Sequence, residues 1–224
     1  MLTLHHLEYS QSFRILWLLE ELGVEYALKI YQRNKETLLA PEEYKVISPL
    51  GTSPVITDGD ITLAESSAII DYILDKYPNN QLRPTAGSPN RARYLFWFHT
   101  AQGSLMPIMF MDSIFRIIQQ RVPFFFKPII RMVLNKAIAG FAKPRIDKLL
   151  MQAEADLAHA PWFGGEELTA ADIVLSYPME SANMRGYITD SHSNCRAWLE
   201  RIYAHPSFKT AREKDGRPSA VLPL

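Results

Sequence analysis

The pair Glu65-Ser66 stands where the sequence changes from strand-like to helical spacing. From Ile69 onward, apolar residues recur at the three- and four-residue intervals of a helix. The free N–H groups at the start of such a helix attract a carboxylate, and the Ser66 hydroxyl adds a donor. The Glu65 carboxylate can accept hydrogen bonds from an ammonium group. Together they suit the head of an α-amino acid, although acidic and hydroxyl residues also stand at helix starts for stability alone.

Upstream of this pair, Ser53-Pro54 precedes a short apolar strand. Proline has no N–H and a fixed φ, and X–Pro is the only peptide bond for which the cis form is cheap. We expect this bond to be cis, because the N–H and C=O of Ser53 would then face outward, towards Glu65 and Ser66. A bound peptide could pair with Ser53 as a strand does, with its amino end at Glu65 and Ser66.

Four segments, in the same order, resemble the glutathione S-transferases, most of all the bacterial and fungal ones whose first helix carries RILWLLEELG. They read SFRILWLLEELG from residue 12, SPVITDGDITLAES from 53, WFGGEELTAADI from 162 and RIYAHPSF from 201. The resemblance implies a thioredoxin-like domain followed by a helical domain, glutathione as co-substrate, a homodimer and a role in detoxification. It implies that Ser53, before a cis Pro54, pairs with the cysteinyl part of glutathione, near Thr52 at the rim. It also implies that Glu65 and Ser66 hold the γ-glutamyl end.

A group that activates the glutathione thiol is expected at the break between the first strand and the first helix. A free thiol has a pKa near 8.5, and lowering it to about 6.5 takes roughly 2.7 kcal/mol of selective anion stabilisation. One hydroxyl that donates to the thiolate supplies about 1.5–3 kcal/mol. Tyr9, Ser10 and Ser12 lie at this break. Counting back four residues from Arg14 gives Ser10, as in the serine-type members of the family. Tyr9 is the alternative because a phenol is more acidic, and a simple helix cap is the structural alternative for Ser10.

The segment from Leu105 to Leu134 is dense in methionine and phenylalanine, which make adaptable pocket walls. We expect the second substrate to be a small hydrophobic electrophile. The residues predicted to bind it are Met106, Phe110, Met111 and Phe115. The alternative is that these side chains form the core of a helical domain. Four charged residues, Asp112, Arg116, Lys127 and Arg131, interrupt the run, so peripheral contact with a membrane is a third interpretation.

An N-terminal α/β domain must position these residues. Its predicted order is strand, helix, strand, helix, strand, strand, helix, which is that of a thioredoxin-like domain around a mixed sheet. The strands are predicted at 2–7, 26–31, 55–57 and 61–63, and the helices at 13–22, 41–49 and 65–77. We expect residues 1–78 to form this domain, 79–89 to form a linker and 90–224 to form an all-helical domain.

Within the helical domain, the first long helix is expected to bend at Pro107. Thr169 and Asp172 have the spacing of a capping box, in which each residue satisfies a backbone N–H of the other. The resemblance gives this motif the same structural role, as the cap of the central core helix. Cys195 is expected to be structural, and His99 is expected to be a core histidine rather than a pocket residue.

Composition excludes several classes of function. The 24 basic and 24 acidic residues give a net charge of zero, so we expect no nucleic-acid partner. The single cysteine excludes an intrachain disulfide and a cysteine-based zinc site, which fits a cytoplasmic protein. No signal peptide and no membrane span are expected. No metal site is expected either, since His5 and His6 are adjacent on a strand and point to opposite faces.

Two functions remain. The first is an enzyme that conjugates glutathione to hydrophobic electrophiles or uses it to reduce organic peroxides. The second is a non-catalytic module on the same fold that binds glutathione or an apolar ligand. Ser10 and the Glu65-Ser66 pair favour the enzyme. A disulfide reductase with its own redox pair is excluded, because the chain has no C-x-x-C motif.

Overall fold

A four-stranded mixed sheet forms the first part of the computed structural model, which describes residues 1–48, 50–78 and 80–221. The strands are β1 Leu2–Leu7, β2 Ala27–Tyr31, β3 Val55–Asp58 and β4 Ile61–Ala64. Their spatial order is β2-β1-β3-β4, with β1 parallel to β2 and antiparallel to β3, and β3 antiparallel to β4. The remaining residues lie outside the described part of the chain. They are Pro49 at the end of the predicted second helix, Asn79 in the predicted linker, and 222–224 in the predicted helical domain.

Three helices alternate with these strands: α1 Ser12–Leu22, α2 Glu42–Ile47 and α3 Ser66–Lys76. The predicted α/β order is therefore confirmed. Helix α1 ends at Gly23, whose φ of 60° lies in the left-handed region that favours glycine. The register of β1 against β3 pairs His5 with Val55. The C-terminal end of β1, which leads to Ser10, therefore lies beside the N-terminal end of β3, which follows Ser53.

The second part is helical, as predicted. Its helices are α4 Arg91–Thr100, α5 Met106–Arg121, α6 Lys127–Ala137, α7 Lys143–Leu157, α8 Ala170–Met184, α9 Ser193–Ala204 and α10 Pro206–Asp215. A 3₁₀ turn at Phe124–Phe126 precedes α6. Among the described residues, no helix has both the length and the apolar character to cross a membrane.

Two wide π-helical turns lie just before prolines, and the first of them precedes Pro107, where a bend was predicted. They span Ala101–Leu105, between α4 and α5, and Ile138–Ala142, between α6 and α7. Each turn contains a glycine, and the residue four positions later is a proline: Pro107 or Pro144. A proline lacks the N–H that would bond to the carbonyl four residues back, and its ring crowds that carbonyl. Widening the turn relieves the crowding, so helical hydrogen bonding continues past each proline.

One hydrophobic core runs through both parts of the chain. Helix α1 packs against α8 and α10, and its Trp17 Nε1–H donates to Ser207 Oγ at 2.9 Å. Arg14 of α1 is fully buried and lies 5.3 Å from the Tyr177 ring of α8. Burial lowers the pKa of Arg14 to about 9, and the aromatic face partly compensates the buried charge. The sheet and the helical part are thus held together around α1, the helix that begins beside Ser10.

The capping box at the start of α8 is confirmed. The backbone N–H of Thr169 and its hydroxyl both donate to Asp172 Oδ2, at 3.0 and 2.9 Å. The other oxygen of Asp172 accepts from the Phe163 N–H at 2.8 Å and from Trp198 Nε1–H at 2.9 Å. Burial raises the pKa of Asp172, and these four donors oppose that rise. Asp172 therefore anchors the start of α8 to α9 and to the turn before α8.

Candidate active site

Ser53 and Ser10 meet where β3 begins and α1 begins. The Ser53-Pro54 peptide bond is cis, as predicted. The Ser53 hydroxyl lies 2.9 Å from the Ser10 hydroxyl, although 43 residues separate them in sequence. The neighbouring carbonyl of Thr52 accepts a hydrogen bond from the Tyr44 hydroxyl at 3.2 Å. Burial raises the pKa of Tyr44 to about 12, so this phenol stays a donor. Tyr44 therefore fixes the loop that carries Thr52 and Ser53.

The Ser10 hydroxyl is buried and has four polar neighbours. It donates to the Leu7 carbonyl at 2.6 Å and accepts from the Ser12 N–H at 3.2 Å. The Ser12 and Ser53 hydroxyl oxygens lie 2.7 and 2.9 Å away. A hydroxyl has one proton, so it can donate to only one acceptor at a time. Donation from Ser10 to a substrate thiolate therefore requires it to give up its bond to Leu7.

A chain of buried hydrogen bonds leads from Ser10 to the C-terminal helix. Ser12 Oγ lies 2.7 Å from Ser10 Oγ and 2.8 Å from His6 Nδ1, and His6 Nε2 lies 2.8 Å from Asp215 Oδ1. All four residues are buried. The carboxylate can only accept, so Nε2 carries a proton, and in the tautomer protonated at Nε2 alone Nδ1 can accept from the Ser12 hydroxyl. The order Asp215–His6–Ser12–Ser10 places a base, His6, one hydroxyl away from the candidate activating group, Ser10.

Sequence reasoning missed His6 and Asp215. They are 209 residues apart, and no local motif joins them. The sequence indicated only that His5 and His6 point to opposite faces of β1, which is correct. His5 faces the other way and bonds to the Tyr31 and Thr57 hydroxyls, at 2.9 and 3.1 Å.

Asp215, at the end of this chain of bonds, lies between His6 and two arginines. Burial would raise its pKa, but the hydrogen bond from His6 and the Arg217 guanidinium outweigh that effect and lower the pKa. Arg217 Nη1 lies 2.6 Å from Asp215 Oδ1, and Arg212 Nη1 lies 3.6 Å from Oδ2. Asp215 is therefore held as a carboxylate, and it can stabilise a positive charge on His6.

Tyr9 is oriented differently from Ser10. Its φ of 49° lies in the left-handed region, which a non-glycine residue rarely adopts. The Tyr9 carbonyl accepts from Arg33 Nη2 at 3.2 Å, and the Arg217 guanidinium lies 5.5 Å from the Tyr9 ring. These contacts direct Tyr9 towards two arginines, whereas Ser10 faces Ser12 and Ser53.

Glu65 and Ser66 lie at the start of α3, as predicted. Glu65 has a φ of 75° and an exposed side chain that makes no capping hydrogen bond. The Ser66 side chain is only 2% exposed, and its hydroxyl oxygen has no hydrogen-bond partner among the described residues. A buried hydroxyl without a partner is costly, and helix capping does not explain this one. The pair presents an unused donor and an exposed carboxylate beside the free N–H groups of α3.

The helical part contributes to the rim of the site through the first π turn. Gln102 Nε2–H donates to Gln11 Oε1 at 3.1 Å, and Gln11 directly follows Ser10. π-Helical turns often occur at functional sites. Met106 follows this turn at the start of α5.

The residues predicted to bind the electrophile are spread around α5. Met111 is half-buried and lines a cavity of about 500 Å³ together with Pro107, Ile108 and Phe141. Met106 and Phe115 are also half-buried, whereas Phe110 is 61% exposed.

Two further residues complete the sequence-based predictions. Cys195 is buried, and burial together with the adjacent Glu154 raises the pKa of its thiol, as expected for a structural cysteine. The prediction for His99 is wrong, because its side chain is exposed on α4. No cluster of three potential metal ligands occurs in the described part of the chain.

Comparison with known proteins identifies the family. Residues 10–76 match the profile "Glutathione S-transferase, N-terminal domain", and residues 133–201 match "Glutathione S-transferase, C-terminal domain". The chain is 32% identical to glutathione S-transferase 3 of Schizosaccharomyces pombe, over 96% of this chain and 88% of that protein. The chain belongs to the glutathione S-transferase family. Members use glutathione as co-substrate, and the assignment as an enzyme follows from this membership.

Two further members resemble this transferase over most of its length. Glutathione S-transferase 1 of Saccharomyces cerevisiae is 26% identical, over 96% of this chain and 95% of that protein. The crystal structure of a glutathione S-transferase from Actinobacillus pleuropneumoniae is 33% identical, covers 96% of this chain and 93% of its own, and superposes with a TM-score of 0.74. The thioredoxin-like domain and the helical domain of this transferase are thus the family's arrangement.

Proposed function

We propose that this transferase conjugates glutathione to small hydrophobic electrophiles, and that Ser10 activates the glutathione thiol through a buried proton relay. The observation that carries the proposal is the continuous chain Asp215–His6–Ser12–Ser10, whose successive distances are 2.8, 2.8 and 2.7 Å. Each distance is that of a good hydrogen bond. An acceptor at one end and a candidate activating hydroxyl at the other give the thiol proton a route away from the sulfur.

In the relay, three protons move in the same direction. Ser10 first turns its proton from the Leu7 carbonyl to Ser12 Oγ. The thiol proton then passes to Ser10 Oγ, the Ser10 proton passes to Ser12 Oγ, and the Ser12 proton passes to His6 Nδ1. The thiolate then accepts a hydrogen bond from Ser10, and the imidazolium donates from Nε2 to the Asp215 carboxylate. The thiolate attacks the electrophile and displaces its leaving group, and His6 later returns its proton to solvent. Removing the proton with a positioned base is general base catalysis.

The other predicted residues hold glutathione in this proposal. Ser66 and the N–H groups of α3 bind the γ-glutamyl carboxylate, and Glu65 accepts from the ammonium group. Ser53, turned by the cis bond to Pro54, pairs with the cysteinyl backbone, and Thr52 forms the rim. The unpartnered, buried Ser66 hydroxyl supports this arrangement, since a bound carboxylate would supply the partner that it lacks.

The electrophile is proposed to bind along α5, near Met106, Phe110, Met111 and Phe115. The apolar cavity that Met111 lines supports an apolar second substrate. Reduction of organic peroxides at the same thiolate is a second candidate activity. It is favoured by the same Ser10 geometry, because the thiolate is the nucleophile in both reactions.

A homodimer in the cytoplasm completes the proposal. The exposed apolar side chains of Val46, Leu50 and Phe96 lie on both parts of the chain and support a contact between two copies. The single cysteine, which is buried, suits a reducing compartment. We place the domain boundary in residues 79–89, between the 1–78 and 90–224 domains.

The experiment that tests the relay replaces His6 with glutamine. We expect His6→Gln to lower turnover at pH 6.5 about tenfold or more, because the base is lost. Glutathione affinity should change less than twofold, and turnover should recover above pH 9, where the glutathione thiol ionises by itself. His5→Gln is the matched control, since His5 is the adjacent residue on β1 but faces Tyr31 and Thr57. Equal pH–rate profiles for His6→Gln and His5→Gln would contradict the relay.

A further inference from the structure

Positive charge is concentrated in one segment of this electrically neutral chain. Residues 113–146 contain seven lysines and arginines and no aspartate or glutamate. They cover most of α5, the 3₁₀ turn, α6 and the start of α7. A net charge of zero over the whole protein therefore hides a strongly basic segment within the helical part.

Exposed apolar side chains lie on the same segment. Phe124, Phe125 and Phe126 are 69%, 75% and 60% exposed. Helix α6 has no buried side chain, and its Ile129, Met132 and Val133 are exposed at the spacing of one helix face. We call the exposed side chains from Phe124 to Lys136 the Phe124–Lys136 surface. A contiguous apolar surface of this kind on a soluble domain indicates a site of interaction.

The cations of this surface have no acidic partner. Within the described residues, Arg131 and Lys136 of this surface form no ion pair, and neither do Arg121 and the half-buried Lys127 beside it, whereas Arg116 pairs with Asp112 and Lys143 pairs with Asp147 at the margins. The four unpaired charges are therefore available to anions outside the protein, beside the three phenylalanines.

We propose that the Phe124–Lys136 surface docks on a membrane that contains anionic lipid. Phenylalanine and isoleucine would enter the boundary between headgroups and acyl chains, while lysine and arginine contact lipid phosphates. The cytoplasmic leaflet carries the negative charge that this surface requires. A second copy of the chain fits less well, because a two-fold contact through this surface would bring its own cations together. This inference does not depend on Ser10.

Docking would also place a substrate pocket near the membrane. Phe141, in the π turn that follows α6, is 43% exposed and lines the cavity of about 500 Å³ beside Met111. The Arg145 guanidinium lies 3.7 Å from the Phe141 ring and lines the same cavity. Apolar electrophiles concentrate in lipid, so a pocket at this position would receive them directly from the membrane.

The test is sedimentation of the full chain with lipid vesicles. We expect binding to phosphatidylcholine vesicles that contain phosphatidylserine, at least tenfold weaker binding to pure phosphatidylcholine, and weaker binding at high salt. Phe124→Ser/Phe125→Ser should weaken binding at least tenfold. Its matched control is Leu39→Ser/Met151→Ser, two exposed apolar side chains elsewhere, at 60% and 67%, which should bind as wild type does.

The charges are tested in the same way. Arg131→Gln/Lys136→Gln should weaken binding severalfold, whereas Lys35→Gln/Lys209→Gln, with exposed cations elsewhere, should not. Phe125→Trp reports insertion, because the four native tryptophans are buried and its emission should shift to the blue with anionic vesicles. No binding to anionic vesicles, or equal binding by the Phe124→Ser/Phe125→Ser variant, would overturn the proposal. A change in molecular mass for that variant, without vesicle binding by wild type, would assign the surface to a contact between copies instead.

Discussion

Replacing Ser10 with alanine removes one hydroxyl from the centre of the candidate site. Donation from this hydroxyl to a thiolate is worth about 1.5–3 kcal/mol, and the bond to the Leu7 carbonyl that it must give up is worth about 0.5–1.5 kcal/mol. The difference is roughly 1–1.5 kcal/mol, which is about one pKa unit at 1.36 kcal/mol per unit. We therefore expect Ser10→Ala to raise the thiol pKa of bound glutathione by about one unit. If Ser10 had no other acceptor, the same substitution would raise this pKa by as much as about two units.

The assay follows thiolate absorbance in the ultraviolet against pH, for glutathione bound to wild type and to variants. Turnover of Ser10→Ala at pH 7 should fall about tenfold, while glutathione affinity changes far less because the other contacts remain. Tyr9→Phe should leave the titration curve unchanged, since Tyr9 is oriented towards Arg217. If Ser10→Ala overlays wild type and Tyr9→Phe moves the curve, Tyr9 is the activating group. If neither moves it, backbone N–H groups activate the thiol, and Ser10 only supports the start of α1.

Three further predictions concern binding, stability and assembly. Glu65→Ala should weaken glutathione binding by about 1.5–3 kcal/mol, because a charge-assisted partner of the ammonium group is lost; unchanged binding by calorimetry would reduce Glu65 to a first-turn acid. Thr169→Ala should lower the free energy of unfolding by about 0.5–2 kcal/mol, and denaturant titration measures this loss; a large fall in glutathione affinity at unchanged stability would argue against a purely structural cap. Light scattering at micromolar concentration should give the mass of a dimer, and a monomer would contradict the proposed assembly.

The local sequence pattern was sufficient to predict the order of helices and strands in the α/β domain. It also predicted features that neighbouring residues form together. The change from strand to helix at Glu65, the capping box at Thr169 and the cis bond at Ser53-Pro54 each involve residues within a few positions of one another. The bend at Pro107 was predicted from the same kind of rule, and the structure has a π turn at Ala101–Leu105, just before this proline. The rule identifies the hydrogen bond that a proline removes, but it does not indicate that the chain widens into a π turn before that proline.

The amino-acid sequence by itself determined the family, the α/β and helical parts, and the residues proposed for the site: Ser10, Ser53, Glu65 and Ser66. Only the tertiary structure decided which groups face Ser10. The contact of Ser10 with Ser53 and the contact of His6 with Asp215 join residues 43 and 209 positions apart. The packing of α1 between the sheet and α10 makes the contact with Asp215, and no local spacing encodes that packing. Tertiary packing also leaves α6 without a buried side chain. Part of the segment that was predicted to form a pocket or a core is therefore an exposed surface, both basic and apolar.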